Sequence, residues 1–348
     1  MDAQIAAILA MDGIATGAVY VLIGLGLVLI FAVTRVIFVP FGDIAAFTGL
    51  TLASLEAGRR PGTIGLVAVL AVLAFALETM ALVRAGELRR LPRASLLYLA
   101  LPLLPAFAVW LLAGAQLAMP VRIGLALAVV LPIAPLLDRV VFRPIADASV
   151  LLLLTVAVTL HFALRGLGLL FFGPEGVRTQ PLTDAIFDVG GVIVSAQTLL
   201  IIAASVVFSG LLFLFFEFTL LGKALRATAV NRTGARLVGI RPATTGTIAY
   251  LLGALLAGIS GVLIAPVVTI FYDSGFLIGL KAFVGAIIGA MASYPVTALG
   301  AIAVGLLESF ASFWSSAFKE VVVFGLLIPV LLWRSLSLGN TDDAEAEE

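Results

Sequence analysis

Few side chains in this chain of 348 residues could do chemistry, and their types exclude most of it. There is no cysteine and a single histidine, His161. Disulfides and thiolate metal sites are therefore excluded, and one imidazole cannot build an all-histidine metal centre. No catalytic residue and no metal ligand is assigned. Arg165 follows His161 at i+4, which puts the two on one face of a helix, inside the otherwise apolar run VLLLLTVAVTLHFALRGLGLLFF. An ionisable residue in such a run is a candidate for a polar path through a membrane. The alternative is structural, because an arginine near a helix end can carry its charged head to the surface along its own stem. Asp43 follows Gly42 directly before an apolar run, where it reads either as a helix N-cap or, with Gly42, as part of the same path. Glu78, Glu217, Lys281 and Glu308 stand near expected helix ends, and structural pairing is the expected role of each. The densest charge lies at residues 222–241, which hold five of the twenty Lys and Arg residues.

The elements that must position these residues follow from composition. Hydrophobic residues make up 62% of the chain and charged residues 11%, against about 25% charged in soluble domains. The chain is expected to be an all-α polytopic membrane protein. Residues 192–216 contain no charge, and 25 residues of helix reach about 37 Å, enough for a hydrocarbon core of about 30 Å. Further candidate crossings are 13–33, 44–55, 64–83, 96–112, 123–137, 150–172, 244–270, 276–292, 296–310 and 321–332. Several are short, so a bundle of about 8 to 11 helices is expected, some of them broken or re-entrant. One membrane domain over residues 1–340 is expected, followed by the acidic, disordered tail TDDAEAEE (341–348). The opening MDAQIAAILAMDG lacks a basic leader, so the first apolar segment is expected to stay in the mature protein.

Lys and Arg bias gives the orientation. With residues 218–242 inside, residues 173–191 fall outside, and these hold Glu175, Asp184 and Asp188 against Arg178. Residues 138–147 and the loop carrying Arg84, Arg89, Arg90 and Arg93 then fall inside as well. Arg59 and Arg60 land outside, a local exception. The glycine pairs Gly13/Gly17 and Gly285/Gly289 have the spacing that lets helices approach closely in lipid. Pro295 and Pro329 suggest broken or kinked helices.

The basic segment, GKALRATAVNRTGARLVGI (222–240), mixes charge with apolar residues as an amphipathic helix does, with Gly234 as a weak point and Gly239 as a stop. A plain reading is a topology signal that touches anionic headgroups. A sharper one comes from resemblance. This segment resembles the cytoplasmic loop of permease subunits in branched-chain amino acid ABC importers, the hydrophobic amino acid uptake family. GIATGAVYVLIGLGLVLIFAVTRVI (13–37) resembles the family's first helix, and VVFRPIADASVLLLLTVAVTLHFALRGLGLLFFGP (140–174) its middle section. GLKAFVGAIIGAMASYPVTALGAIAVGLLESF (279–310) and FKEVVVFGLLIPVLLWR (318–334) resemble its last third.

The resemblance implies a coupling role for Gly222, Lys223, Arg226, Ala227, Asn231, Arg232, Ala235, Arg236, Gly239 and Ile240, with Arg226, Arg232 and Arg236 pairing with acidic groups of an ATPase. It also implies the partners: two ABC ATPase subunits that bind ATP and Mg, a second permease subunit, a periplasmic solute-binding protein and the bilayer of a bacterial inner membrane. The chain has no G-x-x-x-x-G-K-[ST] stretch with which to hold a nucleotide itself, and nothing in it points to nucleic acid. Three departures from the family stand out. Phe38-Val39-Pro40-Phe41-Gly42 replaces an Asn-Phe-Ala-His-Gly pattern, Thr233 and Gly234 stand where Glu and Ala are usual, and residues 60–137 run long. The expected solute is a branched-chain or related hydrophobic amino acid, with urea or short amides as the alternative in the same family. An ion-gradient-driven transporter and a membrane-embedded enzyme are the rival classes, and the scarcity of membrane carboxylates and the lack of a nucleophile constellation weigh against them.

Overall fold

The computed structural model describes residues 3–189, 192–325, 328–330 and 332. The acidic tail at 341–348 and part of the crossing expected at 321–332 lie outside these. Helices α1 (Ala3–Thr34), α2 (Phe41–Glu56) and α3 (Thr63–Ala85) are followed by α4 (Leu91–Ser95) and α5 (Leu101–Leu112), which a π-helical turn over Leu96–Ala100 joins into one rod. Helices α6 (Met119–Val130) and α7 (Ile133–Leu137) likewise continue through a π turn over Asp138–Phe142. Pro132 and Pro135 fall where the regular pattern breaks, as a missing amide hydrogen requires. Helix α8 (Val150–Phe172) leads to strands β1 (Ile186–Val189) and β2 (Val192–Ser195), then α9 (Ala196–Phe218), α10 (Leu220–Val230) and α11 (Arg232–Leu237). The described part closes with α12 (Pro242–Ile264), α13 (Ser274–Ile288), α14 (Tyr294–Trp314) and α15 (Lys319–Gly325).

Eight helical segments among the described residues are long and apolar enough to cross a membrane. The uninterrupted crossing expected at 192–216 is corrected at its start. Residues Val192–Ser195 pair antiparallel with Ile186–Val189, and the helix begins only at Ala196 because the Ser195 hydroxyl accepts from the Thr198 amide. The β-branched run Val-Ile-Val suits a strand, and the serine supplies the N-cap. A small hairpin therefore accompanies an otherwise helical fold.

From Gly13 onward helix α1 carries no charge and sits at the centre, as a helix with no polar face must. It packs on α14, α12, α9 and α13. A methyl group placed on Gly17 would come 2.7 Å from Ile302 Cα, and one on Gly305 would come 2.3 Å from the Gly17 amide nitrogen, so small residues set the α1–α14 distance. Gly285 is held as closely by Ala301. The outer helices instead bury one stripe. In α9, Ile201, Ser205, Leu212 and Phe216 face inward while Val206, Phe213 and Phe218 are exposed, a distribution that only a lipid solvent rewards.

Two helices packed inside the bundle are too short to cross. Helix α2 has 16 residues and α13 has 15, roughly 24 Å and 22 Å of rise. Their N-terminal ends abut, Gly42 against Gly275 and Gly279. Asp43 reaches His161, halfway along α8, so α2 begins at mid-depth of the bundle. Arg143 donates to the Ala243 carbonyl and to Thr247, which gathers the basic segments at 138–147 and 218–242 at one end. Glu56 accepts from the Gln180 amide at another place along α2, its C-terminal end, bringing the 57–62 turn beside the 173–185 segment. The exception there, Arg60, lays its guanidinium 4.4 Å from the centre of the Trp110 ring, a cation–π contact that helps hold the charge locally.

Candidate functional site

The first candidate group is brought together in part. Asp43 lies in the first turn of α2 and is not its N-cap, a correction to the capping alternative: the cap position is Pro40, with no side-chain bond. A carboxylate in the first turn is still favoured by the helix dipole. Its Oδ2 accepts from His161 Nδ1 at 2.7 Å, and both side chains are almost fully buried. Phe276 of α13 stacks on the imidazole with ring centres 4.8 Å apart. The pair thus ties α2, α8 and α13 at one point, with Gly42 beside it. Arg165 shares the helix face but turns elsewhere, to Asp273 at 3.1 Å, and is half-exposed. Phe38 and Phe41, which stand in place of polar residues in the family pattern, are fully buried. Phe38 meets Phe41, Phe142 and Tyr250 edge-on at 5.2 to 6.5 Å between ring centres, so an aromatic cluster fills that position.

The second group forms a sharp corner. Thr219 ends α9 and caps α10 at once: its hydroxyl donates to the Phe215 carbonyl at 2.6 Å and accepts from the Gly222 amide at 2.9 Å. Any side chain at Gly222 would strike the Phe215 carbonyl, 2.3 Å from the added carbon. Along α10, Gly222, Leu225 and Thr228 face the bundle at a spacing of three, while Lys223, Arg226, Ala227 and Val230 are exposed. The break between helices falls at Asn231, where Gly234 was the expected weak point. Asn231 is extended, and its side-chain oxygen accepts from the Gly234 amide at 2.8 Å, which starts α11. Gly239 then takes φ +86°, and the Ile240 amide closes back on the Ala235 carbonyl at 2.9 Å, a stop that glycine makes without strain. Replacing Asn231 by alanine is expected to remove about 1 kcal/mol of cap energy, and faster hydrogen exchange confined to the amides of residues 233–238 would show it.

Not all the basic residues face outward. Arg226 pairs with Glu217 at 3.3 Å. Arg232 turns toward the bundle, with Nε buried and without a hydrogen-bond partner. Lys223 and Arg236 remain exposed, next to Val230, Leu237 and Val238, each more than 70% exposed. Between α10 and α11 lies an open groove of about 440 Å³ lined by Lys223, Ala227, Val230, Asn231 and Val238. Below it stands a network of which only Glu78 was expected to form a structural pair. Asp138 accepts from Arg143 at 2.9 Å, and Arg139 donates to Glu78 at 2.7 Å. Through Arg143, which also donates to the Ala243 carbonyl and to Thr247, it joins the end of α7 to α12. Its sequence signals were Glu78 near an expected helix end and the charged segment at 138–147.

A third cluster was foreseen only as structural pairs. Lys281 Nζ lies 2.5 Å from Glu308 Oε1 and 3.1 Å from Glu320 Oε1. The Tyr20 hydroxyl donates to Glu308 Oε2 at 2.7 Å.

Comparison with known proteins identifies the family. The family model described as the permease component of branched-chain amino acid transport systems matches residues 9–331, running straight through the long 60–137 section. The permease protein BraD of Pseudomonas aeruginosa, from a high-affinity branched-chain amino acid transport system, is 30% identical over 216 residues, covering 60% of this chain and 70% of BraD. LivH of Escherichia coli K12 is 30% identical over 203 residues, 56% of this chain and 66% of LivH. LivH of Methanocaldococcus jannaschii is 29% identical over 123 residues, 35% of this chain and 39% of that protein. No solved structure matches the chain. With eight apolar helices among the described residues long enough to span a bilayer and a family match over most of its length, this is a multi-pass inner-membrane protein that belongs to the permease components of branched-chain amino acid transport systems.

Proposed function

We propose that the chain is the membrane-spanning subunit of an ATP-driven importer that moves branched-chain or closely related amino acids inward, powered by two separate ATPase subunits that hold ATP and Mg. A second permease subunit completes the pore, and a periplasmic solute-binding protein delivers the solute. The observation that carries this reading is the α10–α11 element: a cationic and apolar surface, capped and cornered into a fixed shape, joined to the bundle through the Thr219 corner and the buried Gly222, Leu225 and Thr228. A rigid element packed on the bundle with a cationic outer face suits mechanical transmission, since closure of the ATPase pair would shift the bundle between two states. Relatives named as transport permeases support it. Gly42, Asp43, His161 and Arg165 belong, in this reading, to the joint about which the half-length helices α2 and α13 line the solute path.

The test uses Lys223→Glu with Arg236→Glu, because these two charges face outward. Each reversal sets like charges against an acidic partner, costing several kcal/mol, so ATPase copurification and leucine uptake are expected to fall at least about tenfold. Membrane insertion should be unchanged. Wild-type uptake by the double variant would contradict the coupling role.

A further inference from the structure

The Lys281 cluster stands on the wall of a chamber of about 490 Å³, open on one side, between α1, α13, α14, α15 and the end of α12, within the range of about 300–1,000 Å³ typical of small-molecule sites. Five charged residues line it: Lys281 and Lys319 against Asp12, Glu308 and Glu320. The carboxylates exceed the ammonium groups by one. Glu320 Oε2 is buried without a hydrogen-bond partner, although Lys281 holds its other oxygen. Facing this polar end are Leu9, Ile264, Val268, Leu277, Ile278 and Phe313. A structural ion pair needs one partner and no adjoining space, and burying charge for structure alone gains little. The Arg139–Glu78 pair is of that kind; this cluster, with a surplus carboxylate, a free acceptor and an apolar wall, is built otherwise.

We propose that the chamber is a solute site for a zwitterion with an aliphatic side chain: the ammonium joins Glu308 and Glu320, the carboxylate takes Lys281, and the side chain lies against Leu277, Ile278 and Val268. This rests on the importer reading above and adds the place and the contacts.

The absence of cysteine in the chain makes the test direct. The complete transporter, carrying Ser312→Cys or, separately, Thr269→Cys as reporter, is reacted with a small thiol reagent with and without L-leucine, and ATP-driven leucine uptake is measured on the same sample. Leucine is expected to slow labelling, whereas isoamylamine and 4-methylpentanoate, each lacking one charge, are not. Lys281→Gln and Glu308→Gln should raise the leucine concentration for half-protection by roughly 10- to 100-fold, the value of one charged hydrogen bond. Labelling at both reporters that ignores leucine in a transporter that takes it up overturns the chamber. Protection without ATP-driven uptake keeps the chamber and overturns the importer reading, and loss of both overturns both.

Discussion

Alanine at Gly42 is expected to destabilise the protein by at least about 3 kcal/mol, at or beyond the upper end of ordinary overpacking. The added carbon would stand 1.9 Å from the Gly275 carbonyl oxygen and 2.8 Å from the Gly279 amide nitrogen. These are backbone atoms, so no side chain can rotate away to relieve the contact. The strain can be relieved only by separating α2 from α13. Because Gly275 in turn lies against the Cα and carboxylate of Asp43, that separation would also pull the Asp43–His161 pair apart. Thermal unfolding of the purified protein in detergent, followed by size-exclusion of the heated sample, measures the effect. A Gly42→Ala protein as stable as the natural one would show that the two short helices do not abut.

Breaking the Asp43–His161 pair from one side should have an effect of similar size. His161→Phe keeps a ring to stack on Phe276 but removes Nδ1, leaving the Asp43 carboxylate without its partner in a fully buried place. Removal of one member of a buried pair costs about 3–5 kcal/mol. Asp43→Asn keeps the size of the side chain and lifts the charge, so it should cost less. The combination Asp43→Asn with His161→Phe should cost less than the sum of the two single changes, with an interaction energy of roughly 0.5–3 kcal/mol between contacting residues. Additive single effects in the same unfolding assay would mean that the two side chains do not act as a pair.

Much of the arrangement was legible from residue types alone. An apolar content of 62% leaves lipid as the only solvent in which the helices can expose Phe213 and Val206, and backbone groups in lipid must close on themselves, so helices follow. The stops and starts were readable where one residue does the work locally: Gly239 ends α11 because only its backbone takes that conformation easily, and the glycine pairs mark helix contacts because they lack a side chain. The resemblance of the 222–240 segment drew attention to the α10–α11 element, which presents Lys223 and Arg236 outward.

What the sequence could not show is which distant charges meet. Lys281, Glu308, Glu320 and Tyr20 are separated by up to 300 residues, and the pairing of a long side chain depends on the rotation and depth of its helix, which packing against several neighbours decides. The same cause turned Arg232 inward and left Arg236 outside, although both are arginines in one short basic run. It also moved Asp43 from a supposed cap to a buried partner, because the start of α2 is set by the turn at Pro40 and by the contact of Gly42 with Gly275. Helices and their solvent follow from composition and local chemistry, which act within a few residues. The sites arise where those helices cross, and only the three-dimensional packing places the crossings.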